Sequence, residues 1–175
     1  MSAGAPGRGK DADAVGAYAG VTPTPVGPIG IRMAGDALAG VDLMVRASAP
    51  RAPDSAAARE VLDQLHHYFE SPGWRFDLPL APRGSPFELG VWAALGDIAP
   101  GETRTYGELA AMLASSARAV GGACRRNPLP IVVPCHRVVA ARGIGGFMGA
   151  RTGSALAIKQ WLLAHEAPPP WSPRA

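Results

Sequence analysis

Cysteine is scarce in this sequence: Cys124 and Cys135 are the only two among 175 residues. Two thiols cannot build a disulfide framework, and in a reducing compartment each is either a small buried hydrophobe or a reactive nucleophile. Long apolar runs are lacking as well. No stretch approaches the ~20 residues that a membrane helix requires, and the opening MSAGAPGRGKDADAVG has no apolar block of signal-peptide type. A soluble, cytoplasmic protein with no membrane contact is therefore expected. Gly143 to Gly149 match neither a P-loop nor a dinucleotide fingerprint, so no cofactor is expected. His66-His67 has no cysteine or carboxylate at metal-ligand spacing, so no metal is expected either.

What is present is a foldable chain, with 47% hydrophobic and 18% charged residues. The net charge of +3 is uneven. Residues 1 to 80 hold seven Lys/Arg against nine Asp/Glu, whereas residues 101 to 151 hold seven Arg against two Glu. A basic second half favours a polyanionic partner, because each cation set against a phosphate releases condensed counterions.

Read along the chain, residues 1–20 show no periodicity and are expected to form a flexible leader. Ile29 to Ala34 and Leu38 to Val45 flank Gly35-Asp36 as a hairpin. Pro53-Asp54 opens a helix in which Val61, Leu62, Leu65, Tyr68 and Phe69 recur at helical spacing, and Ser71-Pro72-Gly73 stops it. Ser85-Pro86-Phe87-Glu88 and Thr105-Tyr106-Gly107-Glu108 are two capping boxes, each opening a helix. Ser115-Ser116 caps a third helix through Val120 to Arg126, ended by Asn127-Pro128. The last two form a helix-turn-helix candidate. Ile131-Val132-Val133 is a β-branched run between Pro130 and Pro134 and reads as a buried strand delivering Cys135. Ser154 caps a final helix that ends before Pro168-Pro169-Pro170. The expected class is α+β: an N-terminal α+β domain over 21–80, a mainly helical domain over 81–167, and a tail over 168–175.

The informative tetrapeptide is Pro134-Cys135-His136-Arg137. A thiol needs a base or a positive field to become a thiolate, and a histidine and an arginine adjoin it. Adjacent side chains point apart on a strand and do not face each other on a helix, so His136 reaches Cys135 only through irregular backbone or a bridging water. A carboxylate behind the imidazole would fix its tautomer, but spacing alone does not name it. Cys124 occupies an apolar helical position and reads as packing.

IVVPCHRV, preceded by RAVGGACRRNP and followed by KQWLLAHE, resembles the O6-alkylguanine-DNA alkyltransferases over Ser85 to Glu166, and TPVGPIGI is similar to the less specific front domain of that family. The resemblance implies a ribonuclease H-like N-terminal domain and a winged helix-turn-helix-like C-terminal domain. It implies that Cys135 accepts an alkyl group irreversibly, that His136 is the water-mediated base, and that Glu166 orients and charges the imidazole. Tyr106 then approaches the guanine N3 and can protonate the leaving base. Arg118 enters the duplex as a finger in place of the extruded nucleotide, and Arg125 and Arg126 meet phosphates. Ala119 and Gly122 let the recognition helix approach DNA closely. Asn127 ties that helix to the active-site segment, and Val138 lends a carbonyl to the guanine pocket, which Phe147, Met148 and Gly149 line. The implied partner is double-stranded DNA containing O6-alkylguanine, with O4-alkylthymine as a second substrate, held through the minor groove by a monomer.

The sequence departs from the family pattern in a shorter link from Tyr106 to Arg118, a shorter loop from Cys135 to Phe147 and a longer stretch from Gly149 to Lys159. Phe147 stands where tyrosine is usual, and Met148 where a small residue is common. Other readings of the motifs are a damage-binding protein without transfer, a cysteine hydrolase, which would need an oxyanion hole and turnover, and a sequence-specific regulator.

Overall fold

The computed structural model describes residues 18–46 and 49–167. Three strands, β1 (Gly20–Thr22), β2 (Ile29–Ala34) and β3 (Ala37–Asp42), form an antiparallel meander in the order β1-β2-β3. The β2–β3 hairpin turns at Gly35, whose φ of 60° suits glycine, and a bulge lies between Arg32 and Met33. β3 ends at Asp42, before the expected Val45. Its buried side chains face α1 (Ala56–Glu70), capped by the Ser55 hydroxyl on Ala58 N–H and buried along Val61, Leu62, Leu65 and Tyr68.

The expected leader over 1–20 must be shortened. Tyr18 and Ala19 are buried and Gly20 already pairs with Ile31, because the Tyr18 ring closes over the sheet at Gly30. The earlier leader residues, and the tail over 168–175, lie outside the described residues.

The second half contains α2 (Pro86–Gly96), β4 (Arg104–Thr105), α3 (Tyr106–Met112), α4 (Ala117–Arg125), β5 (Val138–Val139) and α5 (Ser154–Glu166). Both capping boxes form as read: Ser85 with Glu88 and Thr105 with Glu108 exchange side-chain and backbone hydrogen bonds. Ser116 caps α4 through Ala119 N–H, across a turn in which Ala114 takes a positive φ of 48°. Trp92 of α2 donates to the Ala123 carbonyl and locks α4 onto α2. The fold is thus mixed, with small sheets and helices.

The two halves share one apolar core, in which residues such as Ile29, Leu65, Val91, Leu109 and Leu162 all belong to a continuous cluster. Backbone bonds reinforce the joint. Val41 N–H donates to Pro128 O at 2.9 Å, and the segment around residue 80 runs along β3 through Leu38 N to Pro79 O and Ala81 N to Leu38 O. Among the described residues no helix is long and apolar enough to cross a membrane.

The strand expected over residues 131 to 133 does not form. Those residues make a tight turn in which Ile131 is buried at φ 74°, and Cys135 to Arg137 follow as a 3-10 turn. Prolines at 128, 130 and 134 remove three backbone donors that a ladder would need, so β propensity loses to a side-chain-bonded turn. The paired strand is β5 instead, parallel to β4 through Arg104↔Val138 and Thr105↔Val139.

The Tyr18 contact is testable. A Cβ built on Gly30 would lie 2.8 Å from the Tyr18 ring, so Gly30→Ala is expected to cost about 1–3 kcal/mol by overpacking. Urea melts of the variant give the cost directly, and an unchanged midpoint would mean that the ring does not seal the sheet.

Candidate active site

The turn that presents Cys135 is built from its own side chains. Asn127, just beyond α4, accepts from Leu129 N–H at 2.9 Å and donates to Val133 O at 2.8 Å. Val133 N–H reaches Leu129 O and Cys135 N–H reaches Val133 O, each at 2.8 Å. The Asn127 side chain also hydrogen-bonds the Cys135 thiol. Burial pushes that thiol up from its ordinary range, and the Asn127 bond and the nearby Lys159 charge reverse this only in part. At rest Cys135 is therefore a thiol, and its activation requires that a proton be taken away.

The 3-10 turn throws consecutive side chains in different directions, and His136 and Arg137 point inward onto α5. His136 is fully buried, with Nε2 at 2.7 Å from Glu166 Oε1. Arg137 grips the same carboxylate through Nε to Oε2 and Nη2 to Oε1, both at 2.8 Å, and its Nη1 donates to Ile98 O. Tyr68 of α1 adds a fourth donor, its hydroxyl 2.8 Å from Oε1. Burial alone would raise the Glu166 carboxyl, but the His136 and Arg137 bonds more than reverse it and hold it below the usual range. An ionised Glu166 can only accept, so the His136 Nε2 edge carries the proton. Burial also drives His136 down, more than the carboxylate lifts it, and keeps the ring neutral. Its Nδ1 is then a lone-pair acceptor, buried and without a protein partner.

Cys135 forms part of the wall of a cleft of about 690 Å³, together with Tyr106, Arg118, Arg125, Phe147 and Met148. Burial, reinforced by the two neighbouring thiols, pushes the Tyr106 phenol up to about 12. Its hydroxyl therefore keeps its proton and lies 3.4 Å from Gly146 O. Lys159 is completely buried beneath the cleft and donates to Val138 O at 2.6 Å and Gly146 O at 2.9 Å, pinning β5 to the glycine loop. Burial lowers its ammonium to about 8. Gly149, at φ 80°, lies so close to Arg125 that a Cβ would sit 2.7 Å from its Nε, so the loop and α4 meet at the cleft edge.

A family model described as 6-O-methylguanine DNA methyltransferase, DNA binding domain, matches residues 86–168. The methylated-DNA--protein-cysteine methyltransferase of Methanosarcina acetivorans is 40% identical over 157 residues, covering 85% of this chain and 97% of that protein. The chain belongs to the methylated-DNA--protein-cysteine methyltransferase family. Its fold agrees. The crystal structure of the Mycobacterium tuberculosis O6-methylguanine methyltransferase superposes with a TM-score of 0.71 at 36% identity, covering 85% of this chain and 93% of that one. A structure of the M. tuberculosis protein in complex with DNA gives 0.70 at 36% identity, covering 83% of this chain and 90% of that one.

The methyltransferase fold gathers most of the expected site residues. Cys135, Tyr106, Arg118, Arg125, Phe147, Met148 and Gly149 all border the cleft, whereas His136 and Glu166 are not among its lining and are bonded to each other. Arg118, Gly121, Gly122 and Arg125 recur at i, i+3, i+4 and i+7 and so share one face of α4. Arg126 is turned away: it pairs with the capping-box Glu88 and covers Gly122, and neither Ala119 nor Gly122 borders the cleft. The Val138 carbonyl is taken by Lys159. Cys124, read as packing, is buried but also borders the cleft, where burial raises its thiol to about 12. His66 and His67 are exposed, and among the described residues no group of three or more His, Cys, Asp or Glu is placed to hold a metal. Sequence reasoning missed Lys159 and Tyr68 as site residues and read Arg137 only as a charge beside the thiol, not as a partner of Glu166. For Lys159 the available signal was a lysine on the buried stripe of α5, with Ala155, Ile158 and Leu162.

The ion cluster has a pH signature. Because the Glu166 carboxyl is depressed in the folded protein, its stabilisation is complete above the unfolded value of about 4.3 and is lost as pH falls below it. Glu166→Gln, which strands the buried Arg137 charge, is expected to cost about 3–5 kcal/mol at neutral pH. The gap to the parent should narrow in urea melts taken progressively below pH 4. A gap of constant size from pH 7 to 3 would mean that packing, and not charge, is what the variant loses.

Proposed function

We propose that this protein repairs DNA by moving an alkyl group from O6-alkylguanine, and from O4-alkylthymine, irreversibly onto Cys135. The observation that carries the reading is the pairing of a buried thiol at an open cleft with a neutral imidazole whose Nε2 is fixed on Glu166 and whose Nδ1 is free to accept. No direct bond joins thiol and ring among the described residues, so the proton crosses through a bridging water. The Cys135 thiolate attacks the alkyl carbon, the C–O6 bond breaks, and a thioether forms. The leaving guanine takes a proton at N3 from the Tyr106 hydroxyl. The proton held on His136 restores Tyr106 through solvent, the N3 proton passes to N1 by the same route, and the sum is unmodified guanine in DNA and a spent protein.

Double-stranded DNA is read as the partner, met by the Arg118–Arg125 face of α4 in the minor groove, where little sequence is legible and a damage scanner needs little. A base inside the stack must be flipped to reach Cys135, at a cost of a few kcal/mol, and in this reading Arg118, which borders the cleft, fills the gap. We read α3, the turn and α4 as a winged helix-turn-helix-like unit, and the β1–β3 meander with α1 as the ribonuclease H-like unit, with the division near residue 80. The protein acts as a monomer in the cytoplasm, where thiols stay reduced.

Mixing the protein with duplex DNA containing O6-methylguanine is expected to add one methyl group, found by mass spectrometry on the Cys135 peptide. Cys135→Ala should abolish transfer and keep DNA binding, and residual methylation on Cys124 would sink the assignment. Arg118→Ala should slow repair of the duplex by about tenfold or more while affecting the reaction with free O6-benzylguanine far less. Equal losses on both substrates would remove Arg118 from base flipping.

A further inference from the structure

Glu166 Oε1 accepts from three donors, His136 Nε2, Arg137 Nη2 and Tyr68 Oη, all within 2.7–2.8 Å. Two of them directly follow the thiol in sequence, whereas the third comes from α1, 98 residues away from Glu166 in the N-terminal half. Resting on the functional reading above, we propose that Tyr68 is a positioning residue for the transfer reaction: its hydroxyl bond to Glu166 sets the basicity of His136.

The geometry makes the hydroxyl more than a packing group. Tyr68 is completely buried, stacked edge-on against Phe69 and His165, and its backbone carbonyl accepts from His165 Nε2 at 2.8 Å. The ring is therefore held from α1 and α5 together, with little freedom to withdraw its hydroxyl. Burial and the adjacent carboxylate keep the phenol protonated far above neutral pH, so it always has a proton to donate. The charged groups acting on His136 are Glu166 and Lys159 from α5 and Arg137 from its own turn; Tyr68 acts on it through Glu166 alone. Each donor on Oε1 drains negative charge from the carboxylate. The less charge is left there, the less the imidazolium is favoured, and the more fully His136 remains a neutral base. The N-terminal half thus supplies one bond of the relay as well as part of the core.

The sign follows. Tyr68→Phe removes one donor, the carboxylate charge is less compensated, and His136 becomes easier to protonate. The acid limb of the Cys135 reaction, where the base is lost, should move up by about half to one pH unit, with the plateau at higher pH retained. Replacing Tyr68 with 3-fluorotyrosine, a stronger donor, should move the limb down. The probe is free O6-benzylguanine, with transfer to the Cys135 peptide followed by mass spectrometry between pH 5 and 9, so that DNA binding plays no part. A limb that stays in place for both variants, whether or not the melting temperature falls, overturns the proposal and leaves Tyr68 a packing residue. Opposite shifts support it, since a merely structural role would not reverse sign. Failure of the parent protein to benzylate Cys135 is a separate result, which overturns the functional reading and this proposal together.

Discussion

The charge on Glu166 is the constraint around which the site is arranged. A carboxylate at 6% exposure would be untenable alone, and its neutralisation by a bidentate guanidinium, an imidazole N–H and a phenol settles the state of each partner. His136 is left with one usable acceptor, Arg137 is committed to structure, and α1, α5 and the Cys135–Arg137 turn are clamped at one point. Through Ile98 O the same arginine reaches the end of α2. A pair of this kind adds little net stability against an apolar alternative, but breaking it is expensive. Its value lies in holding one tautomer in one orientation.

The nucleophile is managed by the opposite device. The positive field at Cys135 is too weak to ionise it: Arg137, two residues on, is turned away to Glu166, and burial outweighs the Lys159 charge and keeps the sulfur protonated. A buried thiol that rests neutral is less open to adventitious electrophiles than an exposed thiolate. Asn127 and Lys159 supply the rigidity this requires, the first by closing the turn on itself and the second by tying β5 to the glycine loop. Three of these four bonds reach backbone carbonyls and the fourth a backbone N–H, so both side chains hold main chain in place.

Elements whose signals are local were legible. Ser85 with Glu88, Thr105 with Glu108 and the Ser116 cap act across three residues, and the Gly35 hairpin across two, so the sequence contains both halves of each interaction. The segment from residue 131 to 133 was misread for the complementary reason. β-branched propensity is a weak preference, and here it is overridden by three prolines and by an asparagine that closes a turn with Val133, six residues away. The early start of the fold at Tyr18 was equally invisible, because nothing around that tyrosine announces that Gly30 offers its ring a place.

By itself the sequence determined the chemistry available and where the chain turns: a Pro-Cys-His-Arg tetrapeptide, a basic stripe from Arg118 to Arg126, and capped helices before it; the Ser154 cap expected for the last helix does not form, because Ser154 is already its first residue and Gly153 stands at the cap position. Tertiary structure decided which of those groups work together. It chose Glu166 for His136 across 30 residues and Tyr68 for Glu166 across 98, sent Arg125 to the cleft and Arg126 to Glu88, and brought Lys159 under Val138. The physical reason is range. Capping and turn bonds act between near neighbours, whereas the partners of a buried charge are whichever donors the packed core brings within hydrogen-bonding distance.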